Sequence, residues 1–190
     1  FTNRLIPTPQ TAFERKQILM LGSLKLYKSP LEFIELAQKL PQFTFELVVN
    51  DTQENINGFM KEHKINICKN LTIYPQQNDV VPFYNQASLV LNLSDKKQVV
   101  ETFGLTALEA MSAGLPVIVP TEGGIAEMVV DGENGYKIDV QNLNQIAECI
   151  KTILSDETLY MKLAQNALAY SKRFSEAKMV NCIEMILNRK

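Results

Sequence analysis

Two glutamates eight positions apart, Glu101 and Glu109, bracket a glycine turn at Gly104 in the stretch ETFGLTALEAMSAGLPVIVPTEGGIAE, residues 101–127. A helix that opens after such a turn points unpaired N–H groups and the positive end of its dipole outward, which suits a phosphate. Carboxylates repel phosphate, so Glu101 and Glu109 suit hydroxyls instead. The combination describes a ligand with phosphate in the middle and sugar hydroxyls on both sides, a nucleotide sugar. Thr106 and Glu109 equally fit a capping box, which would make Glu109 structural, and Glu101 equally fits an ordinary surface loop. Spacing alone leaves both readings open.

The elements around this stretch must position it. A helix is predicted over residues 103–113, with Leu105, Leu108 and Met111 inward, stopped by Gly114 and Pro116. An apolar strand at 116–120 reads as buried on both faces of a parallel sheet. Gly123-Gly124 follows, either to let backbone approach a ligand closely or as a tight turn without one. Upstream, a strand over 17–21 closes on Gly22, and a turn over 23–28 leads to a helix capped by Ser29, with Pro30 at its first position and Glu32 completing the box. Lys28, ahead of that cap, offers a point charge to a diphosphate, or is a solvated surface lysine.

Further strands are expected at 44–49, 71–74, 89–93 and 136–138, with helices at 52–64 and 81–86 and three more at the carboxyl end, the last opening at Ser175. Strands and helices in alternation imply an α/β fold, a doubly wound Rossmann-like parallel sheet flanked by helices, with ligands at the strand carboxyl ends. Residues 1–16 are polar, contain Pro7 and Pro9 and show no period, so they read as a linker or hinge. Residues 94–100, charged and ahead of Glu101, are a candidate selection loop or a plain insertion.

The chain of 190 residues, 46% of them hydrophobic, suits one domain with a sizeable core, and a net charge of -2 leaves no basic footprint for nucleic acid. Cys68, Cys149 and Cys182 form no C-x-x-C pair, which argues for unpaired thiols in a reducing compartment. His63 is the only histidine and reads as a partly buried helix residue, so no histidine cluster exists for a metal or a serine relay. The sequons at Asn70 and Asn92 lie in or beside strands and are discounted. No run approaches a membrane span, and P-loop, dinucleotide and serine-hydrolase motifs are absent.

Glu101, Phe103-Gly104-Leu105, Glu109-Ala110-Met111, Gly114, Pro116-Val117, Gly123-Gly124 and Glu127 resemble the E-x7-E signature region of glycosyltransferase family 4, retaining enzymes of the GT-B fold. The resemblance covers residues 17–174 and implies the carboxyl-terminal, donor-binding half of such an enzyme. Residues 175–190 then form a terminal helix packing toward an amino-terminal domain that carries the acceptor site. Glu101 is implied as the residue at the reacting sugar and Glu109 as the ribose holder. The N–H groups of Phe103, Gly104, Leu105 and Thr106 would meet sugar or phosphate oxygens, with Lys28 on the diphosphate.

Family members carry an arginine five residues before that lysine. Here Ser23 stands in its place, and Lys25 is the nearest substitute cation. Asn50 and Pro75 stand where glycines are usual. The absence of D-x-D fits transfer without a metal or other cofactor. The resemblance thus implies transfer of a sugar from a nucleotide diphosphate to a glycan, lipid or small molecule, in the cytoplasm or peripheral to a membrane, with this stretch inactive by itself. The rivals are a non-catalytic nucleotide-sugar-binding or scaffold module and a GT-B nucleotide-sugar epimerase.

Overall fold

The computed structural model describes residues 2–174. The sheet is six-stranded and parallel, in the order β3-β2-β1-β4-β5-β6. From β1 (Gln17–Gly22) the chain crosses through α2 (Pro30–Lys39) to β2 (Thr44–Val49), then through α3 (Gln53–Glu62) to β3 (Leu71–Tyr74). It then returns through α4 (Val81–Gln86) to β4 (Leu89–Leu91), on the other side of β1. From there α5 (Leu105–Ser112), β5 (Val117–Val119), α6 (Gly124–Glu127) and β6 (Gly135–Lys137) continue outward. The doubly wound parallel fold expected from the sequence is the fold observed. Its direction reverses between β1 and β4, which opens a crevice at their carboxyl ends.

The strands are short and apolar because helices cover them. Every residue of β4 and β5 is buried, as are Ile18, Leu19 and Met20 of β1. Phe33, Leu36 and Ala37 bring α2 onto this core, and α7 (Leu143–Ser155) adds Ile146, Ile150 and Ile153. The long α8 (Glu157–Ser171) packs against α5 and α7, with Tyr160, Leu163, Ala164 and Ala167 inward. The expected helix from Ser175 lies outside the described residues.

The structure corrects several local expectations. The amino-terminal stretch is not aperiodic: Pro9–Arg15 forms α1, which rests against α4 and α8 with Leu5 and Ala12 buried. Ser88 fastens it, donating to the Ala12 carbonyl while accepting from the Gln17 N–H, and the Tyr160 hydroxyl bonds the Ser88 carbonyl at 2.8 Å. Seven residues give too few turns for a period to show in the sequence. Ser29 does not cap with its side chain either. It adopts left-handed backbone, φ 56°, where a 3-10 turn (Leu26–Lys28) passes directly into α2, and its hydroxyl makes no cap bond. The helix after Gly104 is shorter than expected, and its inward face is Ala107, Ala110 and Met111, while Leu105 is 62% exposed.

Both sequon asparagines are engaged by the fold. Asn70 donates to the carbonyls of Ala37, Leu40 and Phe43, and Asn92 accepts from the Ser94 N–H. His63 is partly buried at the end of α3, with its ring 4.4 Å from that of Phe59. Cys68 and Cys149 are free thiols, and burial pushes the latter up to about 12.

Candidate functional site

The reversal point holds a cleft of about 310 Å³ lined by Leu21 and Gly22 from β1, Lys28, Asn92 after β4, and residues 101–106. Each part arrives for a local reason. Lys28 ends the 3-10 turn that follows β1, its N–H bonded to the Lys25 carbonyl at 2.8 Å. Asn92 extends β4, its N–H on the Ile118 carbonyl at 2.9 Å. Gly104 caps α5 at φ 75°, a conformation open to glycine, and a Cβ there would collide with the Ile125 side chain. Within the described residues, no acceptor meets the N–H groups of Phe103, Gly104, Leu105 or Thr106. The cleft therefore has a wall of free donors at the positive end of a helix.

Opposite those donors, the Lys28 Nζ lies 2.5 Å from Glu101 Oε2. Ser94 completes the group. Its hydroxyl accepts from Lys28 at 3.2 Å and donates to Glu101 at 3.1 Å, and the residue is only 2% exposed. The cation expected on a diphosphate and the carboxylate expected on a sugar thus neutralise each other across a buried hydroxyl. Both remain partly open to solvent, so an incoming anion can take over the lysine.

Gly123 and Gly124 explain how Glu101 is held. A side chain at Gly123 would strike the Glu101 carbonyl, and one at Gly124 would strike that of Thr102. The close backbone approach anticipated from the Gly-Gly pair is therefore made to the chain's own Glu101 loop, the ligand-free alternative. Glu127 is exposed and away from the cleft, its carbonyl accepting from the Tyr170 hydroxyl at 3.1 Å.

Residues 94–100 are tied down by charge. Lys96 reaches Glu122 at 2.7 Å, Asp139 at 2.9 Å and the Thr121 hydroxyl at 2.7 Å, while the Asp95 N–H bonds the Tyr27 carbonyl at 2.8 Å. These links hold Ser94 beside Lys28.

Glu109 does not line the cleft. It sits one turn beyond Thr106, half-buried, with Oε2 accepting from the Tyr84 hydroxyl at 2.7 Å. The capping-box reading is excluded, since Gly104 and not a side chain caps α5. Burial raises the Glu109 carboxyl above its ordinary range, and the tyrosine bond opposes that rise. Burial also pushes the Tyr84 hydroxyl up, so it stays a donor. Ser23 and Lys25 do not line the cleft, and Lys25 is exposed with its Nζ 5.8 Å from the Tyr27 ring centroid.

The sequence thus points to Lys28, Glu101 and the α5 start, which the fold brings together. It points to Ser94 only as one residue of the 94–100 loop, and not to Asn92 or Tyr84. Ser94 and Asn92 follow β4, and only the strand order reveals that they border β1.

A parallel doubly wound sheet with a cation, a carboxylate and a helix start at its reversal point defines an α/β protein whose crevice offers groups suited to an anionic, hydroxyl-bearing ligand. The chain belongs to the family described as glycosyl transferases group 1, whose model matches residues 5–170. An uncharacterized glycosyltransferase of Haemophilus influenzae is 25% identical over 94% of this chain and 51% of its own length. The N-acetyl-alpha-D-glucosaminyl L-malate synthase of Bacillus anthracis is 30% identical over 74% of the chain and 36% of its own length. The chain therefore spans about half or less of the length of these curated relatives.

Among solved structures, the carboxyl-terminal domain of a glycosyl transferase group 1 family protein from Francisella tularensis shares 27% identity and a TM-score of 0.73, over 91% of this chain and 96% of that one. The Anabaena protein HepE, solved in complex with UDP and glucose, shares the fold at a TM-score of 0.82 and 23% identity, over all of this chain and 55% of its own. No helix among the described residues is long and apolar enough to cross a membrane.

Proposed function

We propose that this chain is the donor-binding part of a retaining glycosyltransferase that moves a sugar from a nucleotide diphosphate to an acceptor hydroxyl. One observation carries the reading: Lys28, Glu101 and the free N–H groups of the α5 start face one cleft at the sheet's reversal point. The N–H groups and Lys28 hold the diphosphate and stabilise it as it leaves, which requires no metal. Glu101, released from Lys28 by the arriving phosphates, accepts hydrogen bonds from the donor sugar. Glu109, one helical turn beyond the cleft-lining Thr106, holds the ribose where the nucleoside extends past the cleft. The bond between the anomeric carbon and the diphosphate oxygen breaks, the acceptor oxygen bonds that carbon on the same face, and the acceptor proton passes to the departing diphosphate. The acceptor, a glycan, lipid or small molecule, is bound by the part of the protein beyond this chain.

Lys28→Ala is expected to weaken nucleoside diphosphate binding about tenfold in calorimetric titrations with UDP, GDP and ADP, since hydrogen bonds to charged groups contribute about 1.5–3 kcal/mol. Affinity for the matching nucleoside should hold. Equal losses for both would remove Lys28 from the diphosphate.

A second reading, a nucleotide-sugar-binding module without turnover, draws on Ser23 in the place of the family arginine. Product analysis of the complete protein with a panel of donors separates the two, because a binding module releases no diphosphate.

A further inference from the structure

Tyr84 lies wholly inside the protein, on the six-residue helix α4, and its hydroxyl faces α5. It meets that helix at two points, donating to Glu109 Oε2 at 2.7 Å and lying 3.4 Å from the Thr106 carbonyl oxygen. Thr106 lines the cleft, and Glu109, three residues on, occupies the same side of the helix one turn further along. A glutamate carries three side-chain torsions, so a half-buried carboxylate one turn beyond a cleft samples many positions unless something fixes it. Here one oxygen is fixed from inside the protein, and Oε1 has no donor among the described residues.

We infer that Tyr84 is a positioning residue of the nucleotide site: its hydroxyl anchors one oxygen of Glu109 so that the other is aimed at the ribose hydroxyl pair. The inference rests on the proposed role of Glu109 and deepens it, since it makes discrimination for an intact ribose depend on a residue that touches no ligand. A phenol suits the task. It donates, it stays protonated where it is buried, and it fills its cavity rigidly, so the carboxylate is ordered before the nucleotide arrives.

The test compares Tyr84→Phe, Glu109→Ala and the unmodified complete protein. Each is titrated with whichever of UDP, GDP and ADP binds most tightly and with its 2′,3′-dideoxy counterpart. The unmodified protein should prefer the ribose form. Tyr84→Phe should reduce that preference roughly fivefold, the scale of one typical hydrogen bond, and leave affinity for the dideoxy form unchanged. Glu109→Ala should abolish the preference.

If Tyr84→Phe keeps the full preference while Glu109→Ala erases it, Tyr84 has no positioning role and the reading of Glu109 stands. If Tyr84→Phe weakens both nucleotides equally, the hydroxyl serves packing alone and the inference is overturned. An unmodified protein indifferent to the ribose hydroxyls, or a preference that survives Glu109→Ala, overturns the ribose assignment and the inference with it.

Discussion

Glu101→Gln in the complete protein should lower turnover by roughly a hundredfold or more while leaving nucleoside diphosphate affinity within about threefold of its starting value. The magnitude follows from removing a charged acceptor whose bonds strengthen as the reacting sugar gains positive character, an effect commonly worth ~2.7–4 kcal/mol. The split between turnover and affinity follows from this site. Glu101 rests on Lys28 and Ser94, and glutamine keeps the size and one oxygen able to meet both. It gives up only the negative charge, so Lys28 is freer to engage phosphate and binding does not suffer. Steady-state kinetics beside calorimetry reads both quantities. Turnover within threefold of the unmodified protein would take Glu101 out of the reaction, and a parallel loss of affinity would make its role one of binding.

Gly124→Ala should damage the same site from behind. The new methyl group would meet the Thr102 carbonyl at a distance no real Cβ tolerates, and the atom in the way is backbone, so the Glu101 loop must move. Overpacking of this kind costs about 1–3 kcal/mol. At about 2–4 °C per kcal/mol for a chain of this size, Tm should fall by several degrees in a calorimetric scan. Turnover should fall more than tenfold well below that Tm, because the displaced peptide adjoins Glu101. Gly58→Ala is the matched control. Nothing lies within 4 Å of a Cβ added there, in the middle of α3. Relief of glycine's helix penalty should stabilise the chain by about 0.5–1 kcal/mol without altering turnover. An unchanged Tm and activity for Gly124→Ala would mean that the two loops are not braced against each other.

The two substitutions probe different layers of one arrangement. Glu101 acts through its charge, whereas Gly124 acts by having no side chain, which lets the loop after β5 support the loop after β4. Lys96 joins the same two loops through its pair with Glu122, and its pair with Asp139 ties them to the chain after β6. Of the two readings open for the Gly-Gly pair, close approach to a ligand or a tight turn, the contacts made are to the chain's own Glu101 loop.

Much of the fold was legible because apolar runs such as those ending at Leu91 and Val119 can be buried only in a parallel sheet covered on both faces. The α5 start was legible because a glycine at φ 75° before a helix is a local event that neighbouring residues specify. The helix α1 was not, since seven residues with one fully buried side chain leave no period to detect. Ser29 misled because a capping sequence reports what a side chain is able to do, and the preceding turn placed the backbone where it could not.

The sequence by itself determined the doubly wound class, its resemblance to glycosyltransferase family 4 pointed to the family, and Lys28, Glu101, Glu109 and the N–H groups at the start of α5 were legible in it as candidates. The class follows from the alternation of strand and helix periods, and the helix start from the glycine turn at Gly104, which neighbouring residues set. Tertiary structure alone decided that Lys28 meets Glu101 directly with Ser94 bonded to both, that Gly124 presses on Thr102, and that Tyr84 holds Glu109 from within. Those partners lie between seven and seventy-three positions apart, and such meetings follow from strand order and close packing, which no local stretch of chain encodes.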